Sequence, residues 1–482
     1  MGPEEVIVLL VHSVESIRAA EEEAFARTEE GELMQRASDA LATSLLCDLG
    51  HTDGTKVLIL AGPGNNGGDA LWAGMRLAGR GVRVWLHAVV PDRVHRAGWA
   101  ACVENGGTPV DLDTAVSLMG RVDRIVDGVF GIGGHPGLSG EVQQLAEAAE
   151  RSGTPVTSVD LPSGLDADGA PAHPSFRAER TVTFGTAKAC QVMQPAAERC
   201  GRLEVVDIGL HWAAVGEAGV PMLRCWEVAD VAAAWPVPTV RSDKYSRGVL
   251  GVDAGSATYP GAGVLVAYGA AYAGTGMIRS LGAAEVARAT LAAIPSVVTA
   301  PGQVQAWVVG SGWGDRPDGT ARLAEILDQQ VPVLIDADGL RHVPEVTLAP
   351  HHLLTPHAGE LARLLGVTRS EVGTDPLAHV HRAAERFGAT VLLKGATQYV
   401  ATPGEPTVEV AVPGPGWTAQ AGSGDTLSGV CGALLAAGLP AARAAVCGAS
   451  LQALTAAAEP PLPPHALAQR FGATLRGLLA DR

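Results

Sequence analysis

Short apolar runs of strand length alternate along this chain with helix-length segments, and many of the runs end in glycine-rich sequence. Strands separated by helices cannot pair as tight hairpins, so the alternation demands crossover connections and a mainly parallel sheet covered by helices on both faces. Predicted strands at 57–60, 82–90, 124–129, 156–159, 181–184 and 203–206 form one series, with helical spacing over 15–49, 68–80 and 141–151. A second series has strands at 249–252, 306–309, 331–335, 353–354, 391–393 and 399–401, a small-residue helix over 261–273, and helices from Asp425 onward. Between them the pattern lapses into a short helix and Pro236-Val-Pro238, the strongest boundary signal in the chain. The loop motifs of the two series differ, so they are not internal copies.

Composition narrows the function classes. Of 482 residues, 47% are hydrophobic, 18% charged and 4% aromatic, which describes an Ala/Val/Leu/Gly interior and excludes a disordered or collagen-like chain. A net charge of −16 excludes a generic nucleic-acid or anionic-membrane surface, so any phosphate must be held locally. The apolar stretch 264–278 is broken by Gly, Tyr and Thr and falls short of the roughly 20 residues that span a bilayer. With no signal-peptide pattern at the N-terminus and no C-x-x-C among the seven cysteines, a cytoplasmic protein with reduced thiols and no zinc site is expected. Lysine occurs only at 56, 188, 244 and 394 in a chain that otherwise uses arginine, which draws attention to Lys188, Lys244 and Lys394, whereas Lys56 at a strand entrance needs no special role.

In the first series, Gly62-Pro-Gly64-Asn65-Asn66-Gly67-Gly68-Asp69 follows a strand and opens a helix, and backbone amides there can hold a phosphate. An ordinary dinucleotide fingerprint also wants an acidic residue ending the second strand, whereas Pro91-Asp92 comes late for that role. Asp127 and Asp160 close later strands, the second before Leu161-Pro-Ser163-Gly. Carboxyl ends of parallel strands converge on one crevice, so Asn66, Asp127, Asp160 and Ser163 could share a site whose hard oxygen donors suit a cation. Any one Asp at a strand end reads as a helix cap or turn former; the set in glycine-rich loops reads as a ligand site. Ser163 lacks the preceding glycine of a nucleophile elbow, which excludes a serine hydrolase.

In the second series, Ala421-Gly422-Ser423-Gly424-Asp425-Thr426 precedes a small-residue helix. Amides of 422–424 would point at an anion with Asp425 beside it as a base; the competing reading makes Asp425 a helix cap. Lys394-Gly-Ala-Thr-Gln398, Leu354-Thr-Pro-His357-Ala-Gly-Glu360 and Leu334-Ile-Asp336-Ala-Asp338 lie at other strand ends.

The ordered set Gly64-Asn-Asn-Gly-Gly-Asp69, Val126-Asp-Gly-Val-Phe-Gly131, Val159-Asp-Leu-Pro-Ser-Gly-Leu-Asp166 and Thr183-Phe-Gly-Thr-Ala-Lys188 resembles the NAD(P)HX epimerase domain. The resemblance implies that Asn65, Asn66, Gly67, Gly68, Asp69, Gly131, Ile132, Gly133, Gly134, His135, Pro136, Gly137 and Asp160 contact the hydrated dinucleotide. It implies a potassium ion on Asn66, Asp127 and Ser163, with Lys188 assisting catalysis.

Residues 240–482, through Lys244-Tyr-Ser-Arg-Gly248, Gly255-Ser-Ala-Thr-Tyr-Pro-Gly-Ala262, Gly310-Ser-Gly-Trp-Gly314 and the motifs above, resemble the NAD(P)HX dehydratase domain, a relative of ribokinase-like sugar kinases. Here the resemblance implies substrate contacts from Ala262, Gly312, His357 and Asp425, with Asp425 as catalytic base. Nucleotide contacts would come from Lys394, Gly395, Ala396, Thr397, Gln398 and Gly424, with ADP and Mg2+. Ser311 and Trp313 depart from the usual Gly-Pro-Gly-Leu-Gly, and Gly131-Ile-Gly departs from the usual Gly-Thr-Gly.

The expected fold is therefore α/β, with two three-layer αβα domains: a Rossmann-like epimerase domain over 1–222 and a ribokinase-like dehydratase domain over 223–482. The implied function is repair of NADHX and NADPHX, by epimerising their R and S forms and dehydrating the S form at the expense of ADP. A cytoplasmic homo-oligomer without nucleic-acid or membrane partners is expected. One rival is a vitamin or sugar kinase with a fused dinucleotide-binding domain. Another treats the first domain as a non-catalytic sensor.

Overall fold

In the computed structural model, which describes residues 9–29 and 31–480, the glycine-ended runs fold as strands whose carboxyl ends open into loops. Contacts divide the chain into two units, Leu10–Met222 and Leu223–Arg482, the latter together with Leu9.

The first unit is built on a seven-stranded sheet in the spatial order Thr108–Pro109, Arg83–Ala88, Lys56–Ala61, Arg124–Gly128, Val156–Val159, Arg180–Phe184, Arg202–Val206. Every pairing is parallel. In Lys56–Ala61, Val57 and Ile59 join one core with Leu41, Leu45 and Leu71, while Leu58 and Leu60 join another with Leu145 and Ala149. A strand buried on both faces needs apolar residues throughout, which is why this run shows no polar alternation. After Lys56–Ala61 the chain moves outward through Arg83–Ala88 to Thr108–Pro109, then returns to the other side of Lys56–Ala61 at Arg124–Gly128. The order therefore reverses between those two central strands, and such a switch point opens a crevice at their carboxyl ends.

Predicted and observed strands agree to within a residue or two in this unit. The helix after the glycine loop begins earlier than the spacing predicts, at Asn65, because Gly64 with φ 86° turns the chain directly into it. A side chain at Gly62 would place Cβ 1.8 Å from the Val129 carbonyl oxygen, and one at Gly67 would place it 2.1 Å from that of Gly62. The short edge strand Thr108–Pro109 and the helices Arg96–Glu104 and Leu112–Leu118 carry too little periodicity to be read from the sequence.

In the second unit the strands run Leu223–Cys225, Val408–Val410, Tyr399–Ala401, Thr390–Leu393, Leu353–Leu354, Val333–Ile335, Ala306–Val309, Val249–Asp253, Met277–Ser280. Pairings are parallel except where Tyr399–Ala401 meets both neighbours. The Pro236-Val-Pro238 signal lies inside this unit, because Leu223–Cys225 already pairs with Val408–Val410 and Val231 already packs in the core. Helix Ser423–Ala436 lies against helix Pro260–Tyr272 at backbone contact: Cβ atoms at Gly269 and Gly429 would each stand 2.0 Å from a carbonyl oxygen of the facing helix. Among the described residues no helix is long and apolar enough to cross a membrane.

Candidate active sites

At the switch point of the first unit lies a cavity of about 650 Å³. Asn65, Asn66, Asp69, Gly131, Ile132, Gly133, Gly134, His135, Gly137, Asp160 and Lys188 line it, whereas Gly67, Gly68 and Pro136 do not. Asp160 adopts φ 66°, an uncommon conformation for a residue with a side chain, at the end of Val156–Val159. Its Oδ1 stands 2.5 Å from Lys188 Nζ and accepts from the Thr183 hydroxyl at 3.1 Å; its Oδ2 accepts from the Ile132 amide at 3.3 Å. Lys188 is buried and also donates to Thr183 Oγ1 and to the carbonyls of Phe184 and Thr186. Its charge is thus held rigidly at the cavity wall.

Asp127 lies in the fully buried strand end next to this cavity. It accepts from Ser163 Oγ at 2.6 Å, the Ser163 amide at 2.9 Å, Ser158 Oγ at 2.9 Å and the Val129 amide at 3.3 Å. Burial pushes its carboxyl pKa up, while the Ser163 and Ser158 hydrogen bonds oppose the shift. Asn66 Nδ2 is buried and unpaired, and Asn66 Oδ1 lies 3.0 Å from where a Gly131 Cβ would stand. Asp69 is buried with Oδ1 unpaired; burial, then Asp160 and Glu21, raise its pKa well above the ordinary carboxylate value. Glu21, from helix Val14–Phe25, also lines the cavity and is raised by burial and by Asp160. The helical periodicity that locates Glu21's helix says nothing of the cavity it meets, so its role was invisible in the sequence.

In the second unit Ala262, Gly312 and Asp425 line a cavity of about 910 Å³ with Tyr259, Asp338 and Arg341. Gly422, with φ 90°, is the N-cap of helix Ser423–Ala436, and Asp425 makes no capping hydrogen bond. Its carboxylate is therefore left for the cavity. Burial, with repulsion from Asp336, raises its pKa to about 7, against a hydrogen bond from Ser311 and the charge of Lys394. The Gly424 and Asp425 amides fall at the open start of the helix, where they have no intrahelical acceptor.

Asp336, quoted in the sequence only as part of a strand end, organises this centre. It is buried, accepts from Ser428 Oγ at 2.8 Å and Ser311 Oγ at 3.3 Å, and pairs with Lys394 Nζ at 2.7 Å. Burial would raise its pKa, but the Lys394 charge prevails and holds it below the ordinary value. Lys394 Nζ also lies 3.3 Å from where a Gly424 Cβ would stand, so its charge flanks the helix start. Gly395 and Ala396 are exposed and Thr397 is buried, while the Gln398 carbonyl accepts from Ala411.

His357 is not brought to the cavity lining. It is the N-cap of helix Ala358–Leu365, its Nδ1 accepting from the Gly359 and Glu360 amides at 2.9 and 3.2 Å. Trp313, the departure in the 310–314 loop, is buried and donates from Nε1 to the Asp253 carbonyl at 2.8 Å. Asp253 pairs with Arg316 and Arg322 at 2.8 and 2.7 Å, and Arg316 lies over the Trp313 ring. The indole thus anchors the loop that carries Gly312.

Comparison with known proteins matches each unit separately. A family model described as NAD(P)H-hydrate dehydratase covers residues 250–464, and one described as YjeF-related protein N-terminus covers 30–190. The chain is 42% identical over 449 residues to the bifunctional NAD(P)H-hydrate repair enzyme of Mycobacterium tuberculosis, covering 90% of each protein. It is 31% identical over 466 residues to the Escherichia coli protein of that name, covering 93% of this chain and 87% of that one. A solved ADP/ATP-dependent NAD(P)H-hydrate dehydratase from Bacillus subtilis, co-crystallized with ATP and Mg2+, is similar at 22% identity and a TM-score of 0.48, covering 52% of this chain and 98% of that one. With both family models matched in order and such identity along nearly the whole length, the chain belongs to the family of bifunctional NAD(P)H-hydrate repair enzymes.

Proposed function

We propose that unit Leu10–Met222 is the epimerase, interconverting the R and S hydrates of NADH and NADPH, and that unit Leu223–Arg482 dehydrates the S form using ADP. The observation that carries the second assignment is Asp425: a carboxylate free of capping duty, with its pKa raised to about 7, beside unpaired helix amides and the Lys394 charge. A hydroxyl is a poor leaving group near neutral pH. Asp425 takes the hydroxyl proton as the oxygen attacks the terminal phosphoryl of ADP, and AMP departs. The amides of Gly424 and Asp425 and the Lys394 ammonium stabilise the transferred group. Phosphate then leaves C6 as the ring nitrogen supplies its electron pair, giving an iminium ion, and loss of a proton from C5 forms the C5–C6 double bond and restores the reduced nicotinamide. Mg2+ accompanying the nucleotide would neutralise its phosphate charge.

In the first unit the Asp160–Lys188 pair lies on the cavity wall where the hydrated ring would stand. It gives a proton to the C6 hydroxyl as the C6–O bond breaks with the electron pair of the ring nitrogen, and takes a proton back from the water that adds to the opposite face of C6. Asn66, Asp127 and Ser163 would hold potassium. Their chemistry fits a hard monovalent cation: Asp127 is a buried carboxylate with no cationic side chain paired to it among the described residues, next to the Ser163 hydroxyl. Bound there, the ion would offset the Asp127 charge and brace the Asn66 and Ser163 loops.

Incubation with mixed R and S hydrates, with and without ADP, tests both assignments by reduced-cofactor absorbance. Full conversion requiring ADP is expected. Conversion stopping near half would remove the epimerase assignment, and a stable phosphate ester as product would favour the small-molecule kinase.

A further inference from the structure

Resting on the epimerase reading of the first unit, we propose that Arg93 is its specificity residue for phosphorylated dinucleotides, reading the 2′-phosphate of NADPHX. Arg93 lines the switch-point cavity. It ends the 3-10 turn Pro91–Arg93, which follows strand Arg83–Ala88, the neighbour of the strand that feeds the glycine loop. In a dinucleotide crevice that neighbouring strand end meets the adenosine ribose: an acidic residue there hydrogen-bonds the 2′-hydroxyl, and an arginine accommodates a 2′-phosphate. The sequence places Asp92 and Arg93 side by side, but it is Arg93 that lines the cavity, not Asp92.

The turn is fixed to the glycine loop. Val94 forms an antiparallel bridge with Pro63, the Arg93 amide bonds the Val90 carbonyl at 2.9 Å, and the His95 ring packs 3.1 Å from the Gly68 Cβ position. Among the described residues the Arg93 guanidinium has no ion-pair or hydrogen-bond partner. The cavity's other guanidinium, Arg18, is engaged electrostatically by Glu21 and Asp168. Polarity is consistent as well. Asp160 and Lys188, which meet the reactive ring in this reading, lie beyond the opposite side of the switch point, on the Val156–Val159 and Arg180–Phe184 side of the sheet. A dinucleotide spanning the crevice from that end delivers its adenosine ribose to Arg93. Of the other cationic side chains of the cavity wall, Lys188 is paired with Asp160 and Arg18 faces Glu21 and Asp168, so Arg93 is the guanidinium left for a phosphate.

The test measures epimerisation of purified R hydrates of NADPH and NADH by chromatographic separation of R and S, in the full-length protein. The wild type should prefer NADPHX in kcat/KM. Arg93→Ala should lose about tenfold or more on NADPHX, as expected for a lost charge-assisted hydrogen bond, while changing NADHX by less than about twofold. Arg93→Glu should invert the preference, and Arg93→Lys should keep part of it. Retained epimerisation of NADHX in Arg93→Ala reports that the first unit is folded, and dehydration of the S hydrates by the second unit should be unaltered in all of them. Equal losses on the two substrates, no loss on either, or a wild type without preference would each overturn the assignment. A wild type that epimerises neither hydrate would instead overturn the epimerase reading on which it rests.

Discussion

Lys394 Nζ stands 2.7 Å from the Oδ1 of Asp336, so the lysine of the Lys-Gly-Ala-Thr-Gln segment is bound to a buried carboxylate and not simply extended toward a nucleotide. Removing one partner of such a pair leaves a buried charge uncompensated. Lys394→Met is therefore expected to destabilise the second unit by about 3–5 kcal/mol in urea unfolding, with Asp336→Asn/Lys394→Met recovering much of the loss. The pKa of Asp336 is depressed, so the pair contributes stability above the unfolded carboxylate value of about 3.9 and loses it as pH falls through the folded value. Asp336→Asn should flatten that acid limb; an unchanged limb would mean the pair adds nothing to folding.

Asp425 has the opposite sign. Its folded pKa of about 7 exceeds the unfolded value, so stability is lost as pH rises from about 4 to 7. Asp425→Asn should raise the urea midpoint at pH 8 and leave it unchanged near about pH 4. The same substitution should lower dehydration by on the order of 100-fold or more. In the wild type, dehydration should rise between about pH 6 and pH 8 as the base loses its proton. A retained rate in the variant would remove Asp425 as base.

Asp127→Ala leaves the Ser158 hydroxyl without its acceptor and the Ser163 hydroxyl with only the Phe130 carbonyl at 3.2 Å. Epimerisation should fall at least about tenfold while dehydration of purified S hydrate stays near the wild-type rate, because the lesion is confined to the first unit. Replacing potassium by sodium should slow wild-type epimerisation alone. Equal rates in the two salts would dismiss the cation.

Much of the fold was legible because its strands are buried on both faces and end in glycine, a pattern that polar edge elements such as Thr108–Pro109 do not carry. Asp425 drew attention through its loop, and the structure brings it to the cavity lining. Asp336 was quoted in its strand end but given no role, since only folding shows that Ser311, Lys394 and Ser428 converge on it. His357 illustrates the converse: its segment drew attention as a ligand, and the structure uses its Nδ1 to cap a helix and leaves it out of the cavity lining. Glu21 came to the crevice from a helix outside the strand series, which no local spacing announces.

Gly429→Ala should impair the second unit although it touches no ligand. The added methyl would meet the Val266 carbonyl oxygen at 2.0 Å, forcing helix Ser423–Ala436 away from its neighbour. A cost of about 1–3 kcal/mol is expected, together with a larger fall in dehydration rate than in ADP affinity. A variant as stable and active as the wild type would show that the contact relaxes freely.

That glycine contact also sets how accurately the proposed base is aimed. Asp425 rides in the first turn of a helix whose distance from its partner is fixed by main chain against main chain at Gly269 and Gly429, with no flexible side chain between to absorb error. In the proposed reading, substitutions along this seam shift catalytic alignment, so rate in this unit depends on residues of no chemical function as well as on the carboxylate.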